Sequence, residues 1–267
     1  SLVQYHNLRL NHFDEKIDEL ALFNELKEIN NSIKIFAKPA WKIINEIGEA
    51  DKSILFEGAQ GSLLDVDFGT YPYVTSSNTL SGQVFAGSGF GIRKNHKIFG
   101  ITKAYTTRVG SGPFPTELKD SIGEYLGKKG KEFGTVTNRK RRCGWFDVNL
   151  VKQSVKISGI NDIVLTKLDV LDELKEIKIC IGYDVDSIPY DYFPSNEVLQ
   201  NKIKPVYMTF PGWEESTYGI TKWSNLPINA KNYVNEIEKL IETSISVIST
   251  GPERKQTIDK YNYLNKS

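Results

Sequence analysis

Cysteine, histidine and any excess of one charge are scarce in this 267-residue chain, and each scarcity closes off a class of protein. The two cysteines, Cys143 and Cys180, stand in unrelated contexts without CxxC spacing. They provide neither a disulfide framework nor a cysteine-based zinc site, and a reduced, cytoplasmic protein is expected. The three histidines, His6, His12 and His96, fall outside the polar loops described below. Surface positions are expected for them, and the usual proton carrier near neutral pH is absent from those loops. Lys and Arg number 34 against 33 Asp and Glu, and a net charge of +1 supplies no global field to gather nucleic acid or an anionic membrane. Anion recognition must therefore be local. No apolar run approaches the ~18 residues that span a bilayer. The first residues, Ser-Leu-Val-Gln-Tyr-His, show no basic region followed by an apolar one, so no signal peptide is expected. A GxxxxGK[ST] phosphate cradle is also missing. Its nearest approach, Gly127-Lys128-Lys129-Gly130-Lys131-Glu132, lacks the spacing and the hydroxyl, and Gly87-Ser88-Gly89-Phe90-Gly91 has the wrong spacing for a dinucleotide fingerprint.

The length admits one large α/β domain or a core with a smaller lobe. Apolar residues at three- and four-residue spacing predict helices over 13–30 and 37–49, with further helical patterns at 121–129, 146–157 and 230–242. Short, partly β-branched runs at 53–56, 98–104, 162–165, 177–181, 206–208 and 245–248 read as strands. Strands alternating with helices predict a layered α/β sheet. The stretch 189–211, rich in proline, tyrosine and asparagine, reads as an irregular excursion.

Between these elements lie five polar loops. After the run 53–56 comes an amide, Gln60, among small residues, followed within eighteen positions by Asp65, Asp67, Thr70, Tyr73, Thr75, Ser76, Ser77 and Asn78. A core has no use for that density of hydroxyls and amides, and such segments hold polar ligands. Asp65 and Asp67 are flanked by Leu64, Val66 and Phe68 and read as backbone-bonding residues rather than metal ligands. Gly134-Thr135-Val136-Thr137-Asn138-Arg139-Lys140-Arg141-Arg142-Cys143-Gly144-Trp145 sets four cations behind two threonines, suited to carboxylates or phosphates. Basic runs are more often solvated patches or nucleic-acid contacts, but neutral net charge and an aromatic platform limited to Trp145 argue against nucleic acid. Thr107-Arg108-Val109-Gly110-Ser111-Gly112-Pro113 is a rigid loop that can line the same pocket or merely turn the chain. Beyond the run 162–165, Lys167 and Asp169 lie at a strand end, where open α/β sheets bind ligands. A carboxylate there accepts both N1–H and the exocyclic amine of guanine, whereas adenine leaves it unpaired. Lys167 can cover the purine face. The strand-end loop Ser249-Thr250-Gly251-Pro252 offers backbone donors for a base carbonyl, though an ordinary turn is an equal reading.

Five segments, FEGAQGSLLDVDFGTYPYVTSSNT, TRVGSGPFPTEL, GTVTNRKRRCGW, TKLDVLD and STGPERKQT, occur in the order and approximate spacing found in the adenylosuccinate synthetase family, which this sequence resembles. The resemblance implies a P-loop NTPase-like fold, a mostly parallel sheet with helices on both faces. It implies a single α/β domain over residues 1–267, part of a larger synthetase domain, with an irregular excursion at about 184–228. The implied activity, a step of purine biosynthesis, joins IMP and L-aspartate at the expense of GTP: the purine 6-oxygen is phosphorylated, then displaced by the aspartate amine. By motif, Gln60 resembles the amide that orients the purine during phosphoryl transfer, and Thr75, Val109 and Arg139 resemble IMP contacts. Thr135, Val136, Thr137, Asn138, Arg139, Lys140 and Arg141 resemble the aspartate loop. Arg141, Lys167, Leu168 and Asp169 with Ser249, Thr250 and Gly251 resemble GTP contacts.

The resemblance further implies a cytoplasmic homodimer without nucleic-acid or membrane partners, using Mg2+ whose ligands have no counterpart in this sequence. The family's phosphate loop, catalytic aspartate and histidine and cross-subunit arginine have no counterpart before Ser1, so the expectation is a C-terminal part that does not turn over alone. Phe68, Asn138, Lys140 and Cys143 depart from the family pattern and leave the arginines in place. The alternative is a guanine-nucleotide-binding or regulatory module without catalysis.

Overall fold

The computed structural model describes residues 2–50, 52–92, 96–134 and 139–263, in two compact units. The first comprises residues 1–56 and 84–92. It carries α1 (Leu2–Leu10), α2 (Glu19–Ile33), α3 (Ala40–Glu49) and α4 (Gln83–Ser88), the last beginning one residue before the boundary. Helix α2 begins six residues later than the apolar spacing predicts because the Asp18 carboxylate accepts from the Leu20 and Ala21 N–H groups and caps it there. Asn45 holds the return of the chain, donating to the Gly89 carbonyl at 2.9 Å and accepting from the Gly91 N–H. The strand expected at 53–56 is not formed. Those residues pair with no strand among the described residues, and Leu55 is 89% exposed, since so short an apolar run gains nothing as a strand without a neighbour.

The second unit, residues 57–83 and 93–267, holds the sheets. In chain order it contains β1 (Phe99–Lys103), β2 (Thr106–Arg108), α5 (Ser121–Lys129), β3 (Arg142–Gly144), β4 (Phe146–Asp147), α6 (Val148–Ser158) and β5 (Asp162–Thr166). There follow β6 (Glu176–Val185), β7 (Ile188–Tyr190), α7 (Glu197–Gln200), β8 (Lys204–Pro211), α8 (Ile228–Ile241), β9 (Ile245–Ser249) and β10 (Thr257–Asp259). Strands β1, β5 and β9 run parallel and adjacent, with Ile101 opposite Val164 and Leu165 opposite Ile248, and β10 closes the edge antiparallel. Strand β6 pairs parallel with β4 and antiparallel with β7 and β8, while β2 and β3 form a separate antiparallel pair. The result is a mixed α/β fold, as the alternating pattern predicts, around a mostly parallel sheet, as the resemblance implies.

Ile163, Leu165, Leu168, Tyr233, Ile237, Ile245 and Ile248 are buried between strands and helices, where each aliphatic side chain contributes roughly 1.5–3 kcal/mol. Helix α6 packs on α8 and β6. It starts at Val148, not 146, because the Asp147 carboxylate caps the Asn149 and Leu150 N–H groups. Strand β8 contains the run 206–208 predicted as a strand and extends it within the stretch otherwise read as irregular, pairing along most of β6 despite a register shift between Cys180 and Gly182. Cys143 and Cys180 are buried free thiols, raised by burial to about 11 in the first case and higher in the second. All three histidines are exposed. Among the described residues no helix is long and apolar enough to cross a membrane.

Candidate functional site

Parallel pairing of β1, β5 and β9 brings three strand ends to one edge: Lys103 with Ala104 and Tyr105, then Lys167 with Asp169, then Ser249 with Gly251. At that edge lies a carboxylate the sequence reading did not single out. Glu132 is fully buried, and each of its oxygens takes two donors. Oε1 accepts from the Tyr105 hydroxyl at 2.5 Å and Lys167 Nζ at 2.8 Å; Oε2 accepts from Lys103 Nζ and Arg141 Nη1, both at 2.8 Å. Burial works against its charge, but the bonds from Lys103, Lys167 and Tyr105 outweigh that and hold its pKa at about 2. Burial conversely pulls the Lys103 ammonium down and pushes the Tyr105 phenol up. Three cations around one carboxylate leave a surplus of positive charge at the strand ends.

The backbone makes the same connection. The Arg141 N–H donates to the Glu132 carbonyl at 2.9 Å, Gly134 N–H donates to Arg139 O at 2.8 Å, and Phe133 bridges Lys140. Residues 132–134 and 139–141 therefore run as an antiparallel pair at the base of the basic loop. Thr135, Val136, Thr137 and Asn138 lie outside the described residues. Arg139 and Lys140 are exposed, Arg141 is half-buried on Glu132, and Arg142 has a structural task. Its Nε and Nη2 clasp Glu117 at 2.7 and 2.6 Å while Nη1 donates to the Gly110 and Gly112 carbonyls. This pair holds the Glu117 carboxyl below its ordinary range and the Arg142 guanidinium above its own. Trp145 is buried in the core and offers no stacking platform.

The loop after β2 joins the Arg139 side of the site. Val109 is exposed, and a Cβ placed on Gly110, whose φ is +76°, would lie 3.6 Å from Arg139 Nη1, so the guanidinium rests over that glycine. Arg108 donates through Nη2 to Thr70 Oγ1 at 2.9 Å and to the Tyr73 carbonyl at 3.1 Å, stitching this loop to the hydroxyl-rich segment. That segment winds around Asp65. Burial opposes the Asp65 charge, but backbone N–H groups of Asp67, Phe68, Thr79 and Leu80 bond to it and lower its pKa overall. Thr75 is half-buried, fixed by its N–H to the Leu64 carbonyl at 2.8 Å, and Gln60 is exposed at the entrance of the segment. The structure thus sets Arg139 over Gly110, the neighbour of Val109, and ties that loop to the Thr75 segment through Arg108. It gives Gln60 no bond to them among the described residues.

The two base-type loops are locked to each other. Asp172, 4% exposed, accepts from Trp213 Nε1 at 2.6 Å, from the Thr217 N–H at 2.8 Å and from its hydroxyl at 2.7 Å. Two residues on, the Gly219 N–H donates to the Thr250 carbonyl at 3.0 Å, and the Thr250 hydroxyl donates to Ile220 at 2.8 Å. Segment 217–220 therefore clamps the loop after β5 to the loop after β9. The Thr250 N–H, read from sequence as a free donor, is spent on Gln256, and Ser249 Oγ donates to the Gly251 carbonyl. Lys167 sits at φ +60°, a left-handed conformation that costs a non-glycine residue on the order of 1 kcal/mol, and its ammonium also donates to the Gly130 carbonyl. Leu168 is buried beneath the turn. Asp169 is half-buried, and among the described residues it has its own backbone N–H as a partner and no ion pair. Burial raises its pKa. Two hollows lie elsewhere, one lined by Thr221, Trp223, Asp259 and Lys260 and the other by Trp213, Glu214 and Asn229.

A family model described as adenylosuccinate synthetase matches residues 1–258. A solved structure of fully ligated adenylosuccinate synthetase from Plasmodium falciparum superposes with a TM-score of 0.88 at 38% identity, covering 96% of this chain. This chain spans 62% of that enzyme's length. The succinoaminodeoxyadenylate synthetase of cyanophage S-2L, solved with dGMP and with dATP as an energy donor, shares the fold at a TM-score of 0.52 and 17% identity, over 82% of this chain and 50% of its own. With a family match over nearly its whole length and a close structural relative at 38% identity, this chain belongs to the adenylosuccinate synthetase family.

Proposed function

We propose that this chain supplies the IMP, L-aspartate and guanine-nucleotide loops of a GTP-dependent ligase that forms adenylosuccinate, GDP and phosphate. In this reading Lys167, Leu168 and Asp169 hold the guanine from one side and Ser249, Thr250 and Gly251 from the other. Asp169 accepts the base N1–H and amine, and the Lys167 stem covers the ring. Arg141 serves the nucleotide and, with residues 135–140, the aspartate carboxylates. Gln60, Thr75, Val109 and Arg139 position the inosine nucleotide. Phosphoryl transfer from GTP to the purine 6-oxygen makes that oxygen a leaving group; the aspartate amine then attacks C6 and phosphate departs.

The observation that carries the proposal is the clamp at the strand ends: Asp172 on Thr217 and Thr250 on Ile220 hold the two base-type loops side by side, with a half-buried Asp169 on one of them that has no ion pair among the described residues. The family also implies Mg2+. Among the described residues no group of three His, Cys, Asp or Glu side chains gathers to hold it, and Asp65 is occupied by backbone donors, so no step is assigned to it here. A cytoplasmic homodimer belongs to the same proposal.

The test is a titration of GDP, with ADP as control, against the wild-type chain and Asp169→Asn. Charge-assisted bonds contribute about 1.5–3 kcal/mol each, so the variant should lose GDP affinity at least tenfold and gain affinity for xanthosine diphosphate, whose 2-oxo group accepts from the new amide. Equal affinity of the wild-type chain for GDP and ADP would refute the proposal. Guanine preference in the chain without adenylosuccinate formation by the whole protein would favour a binding module instead.

A further inference from the structure

Among the described charged groups at the strand ends, Glu132 alone touches two loops to which the proposed function gives different ligands. Its Oε1 holds the Lys167 ammonium, on the base side, and its Oε2 holds the Arg141 guanidinium, on the basic-loop side, both at 2.8 Å. The connection is stiff. Glu132 is fully buried, its carbonyl accepts from the Arg141 N–H, and its N–H donates to the Gly127 carbonyl at the end of α5. Lys103 and Tyr105, from the end of β1 and the residues just after it, fill the remaining positions on the two oxygens. A carboxylate gripped from four directions cannot follow one cation without disturbing the others. We propose that Glu132 is a positioning residue that couples the guanine loop to the basic loop, so that a displacement of Lys167 is felt at Arg141 and the reverse. The inference rests on the proposed function only for what each loop binds; the mechanical link stands on the four donors.

The link can be read without any ligand. The Arg141 N–H, bonded to Glu132, and the Val170 N–H, bonded to the Lys167 carbonyl, report the two sides by amide hydrogen exchange, and the Ile163 N–H, bonded to Ser244, serves as an internal reference. In the full chain, Lys167→Met should speed exchange at Arg141 at least fivefold, Arg141→Met should do the same at Val170, and Glu132→Gln should speed both while Ile163 is unchanged. Lys167→Arg keeps a donor for the carboxylate and should restore the wild-type rate at Arg141. A merely structural contact would show no such cross-loop rescue. In titrations with GDP, the combined loss for Lys167→Met with Arg141→Met should fall at least threefold short of the product of the single losses. If each truncation speeds exchange only on its own side, the coupling is refuted even where guanine preference persists. If the wild-type chain fails to prefer GDP over ADP, the proposed function falls while the exchange data still decide the role of Glu132. Should Glu132→Gln not fold, the Lys167 and Arg141 variants carry the test.

Discussion

Glu132→Gln is the perturbation whose cost follows most directly from the geometry. The native carboxylate has a pKa of about 2 against an ordinary 4.5, and at 1.36 kcal/mol per unit the depression corresponds to about 3 kcal/mol of native-state stabilisation at neutral pH. Because the native value lies below the unfolded one, the contribution is present in full above pH 4.5. It is lost as the pH falls from there through 2. Glutamine keeps an acceptor but not the charge, and it leaves Lys103, Lys167 and Arg141 facing one another uncompensated, which adds to the loss. Urea unfolding followed by far-UV circular dichroism should therefore place the variant about 3 kcal/mol below wild type at pH 7. At roughly 2 kcal/mol per molar urea, that is a midpoint lower by about 1.5 M. The gap should narrow steadily between pH 4.5 and 2. A gap that stays constant over that range, or one under about 1 kcal/mol at pH 7, would show that the four donors do not stabilise the charge as argued.

Asp147 should behave in the opposite sense. Buried at the start of α6, it is pushed up to about 6, so its contribution favours the fold at low pH and turns against it as the pH rises from 3.8 through 6. Asp147→Asn keeps the cap on Asn149 and Leu150 and sheds the buried charge, at the cost of one arm of the bifurcated bond from the Tyr183 hydroxyl. The expected gain is about 2 kcal/mol at pH 8 and little at pH 4, measured by urea midpoints at both. Gly130→Ala should destabilise by about 1–3 kcal/mol, the usual cost of overpacking, because its Cβ would press on the Tyr105 hydroxyl and lie 2.7 Å from the Leu126 carbonyl. Thermal unfolding checks this, and adding Tyr105→Phe should recover part of the loss by removing the crowded oxygen.

What could be read from the sequence was what depends on local pattern. Strands β1, β5 and β9 announce themselves as short apolar runs, so Lys167, Asp169 and the 249–251 loop could be placed at strand ends from sequence, whereas the parallel sheet is expected from the family resemblance. The run 53–56 has the same composition and forms no strand, because pairing depends on a neighbour that four residues cannot specify. Glu132 escaped for a related reason. It stands in a lysine-rich stretch that reads as a failed phosphate loop, and nothing nearby in sequence hints that Lys103 and Lys167, 29 and 35 residues away, converge on it. The one available signal was a lone acid between Lys131 and the arginines that follow, a residue whose charge is costly unless used. Arg142 shows the converse, because composition counts it with the substrate-facing cations whereas its guanidinium is consumed by Glu117 and two glycine carbonyls. A run of basic residues fixes how much positive charge a loop carries. Which of those charges remain for a ligand is decided by the carboxylates that distant segments bring to it: Glu117 and two carbonyls occupy all three nitrogens of Arg142, Glu132 engages Nη1 of Arg141, and Arg139 and Lys140 stay exposed.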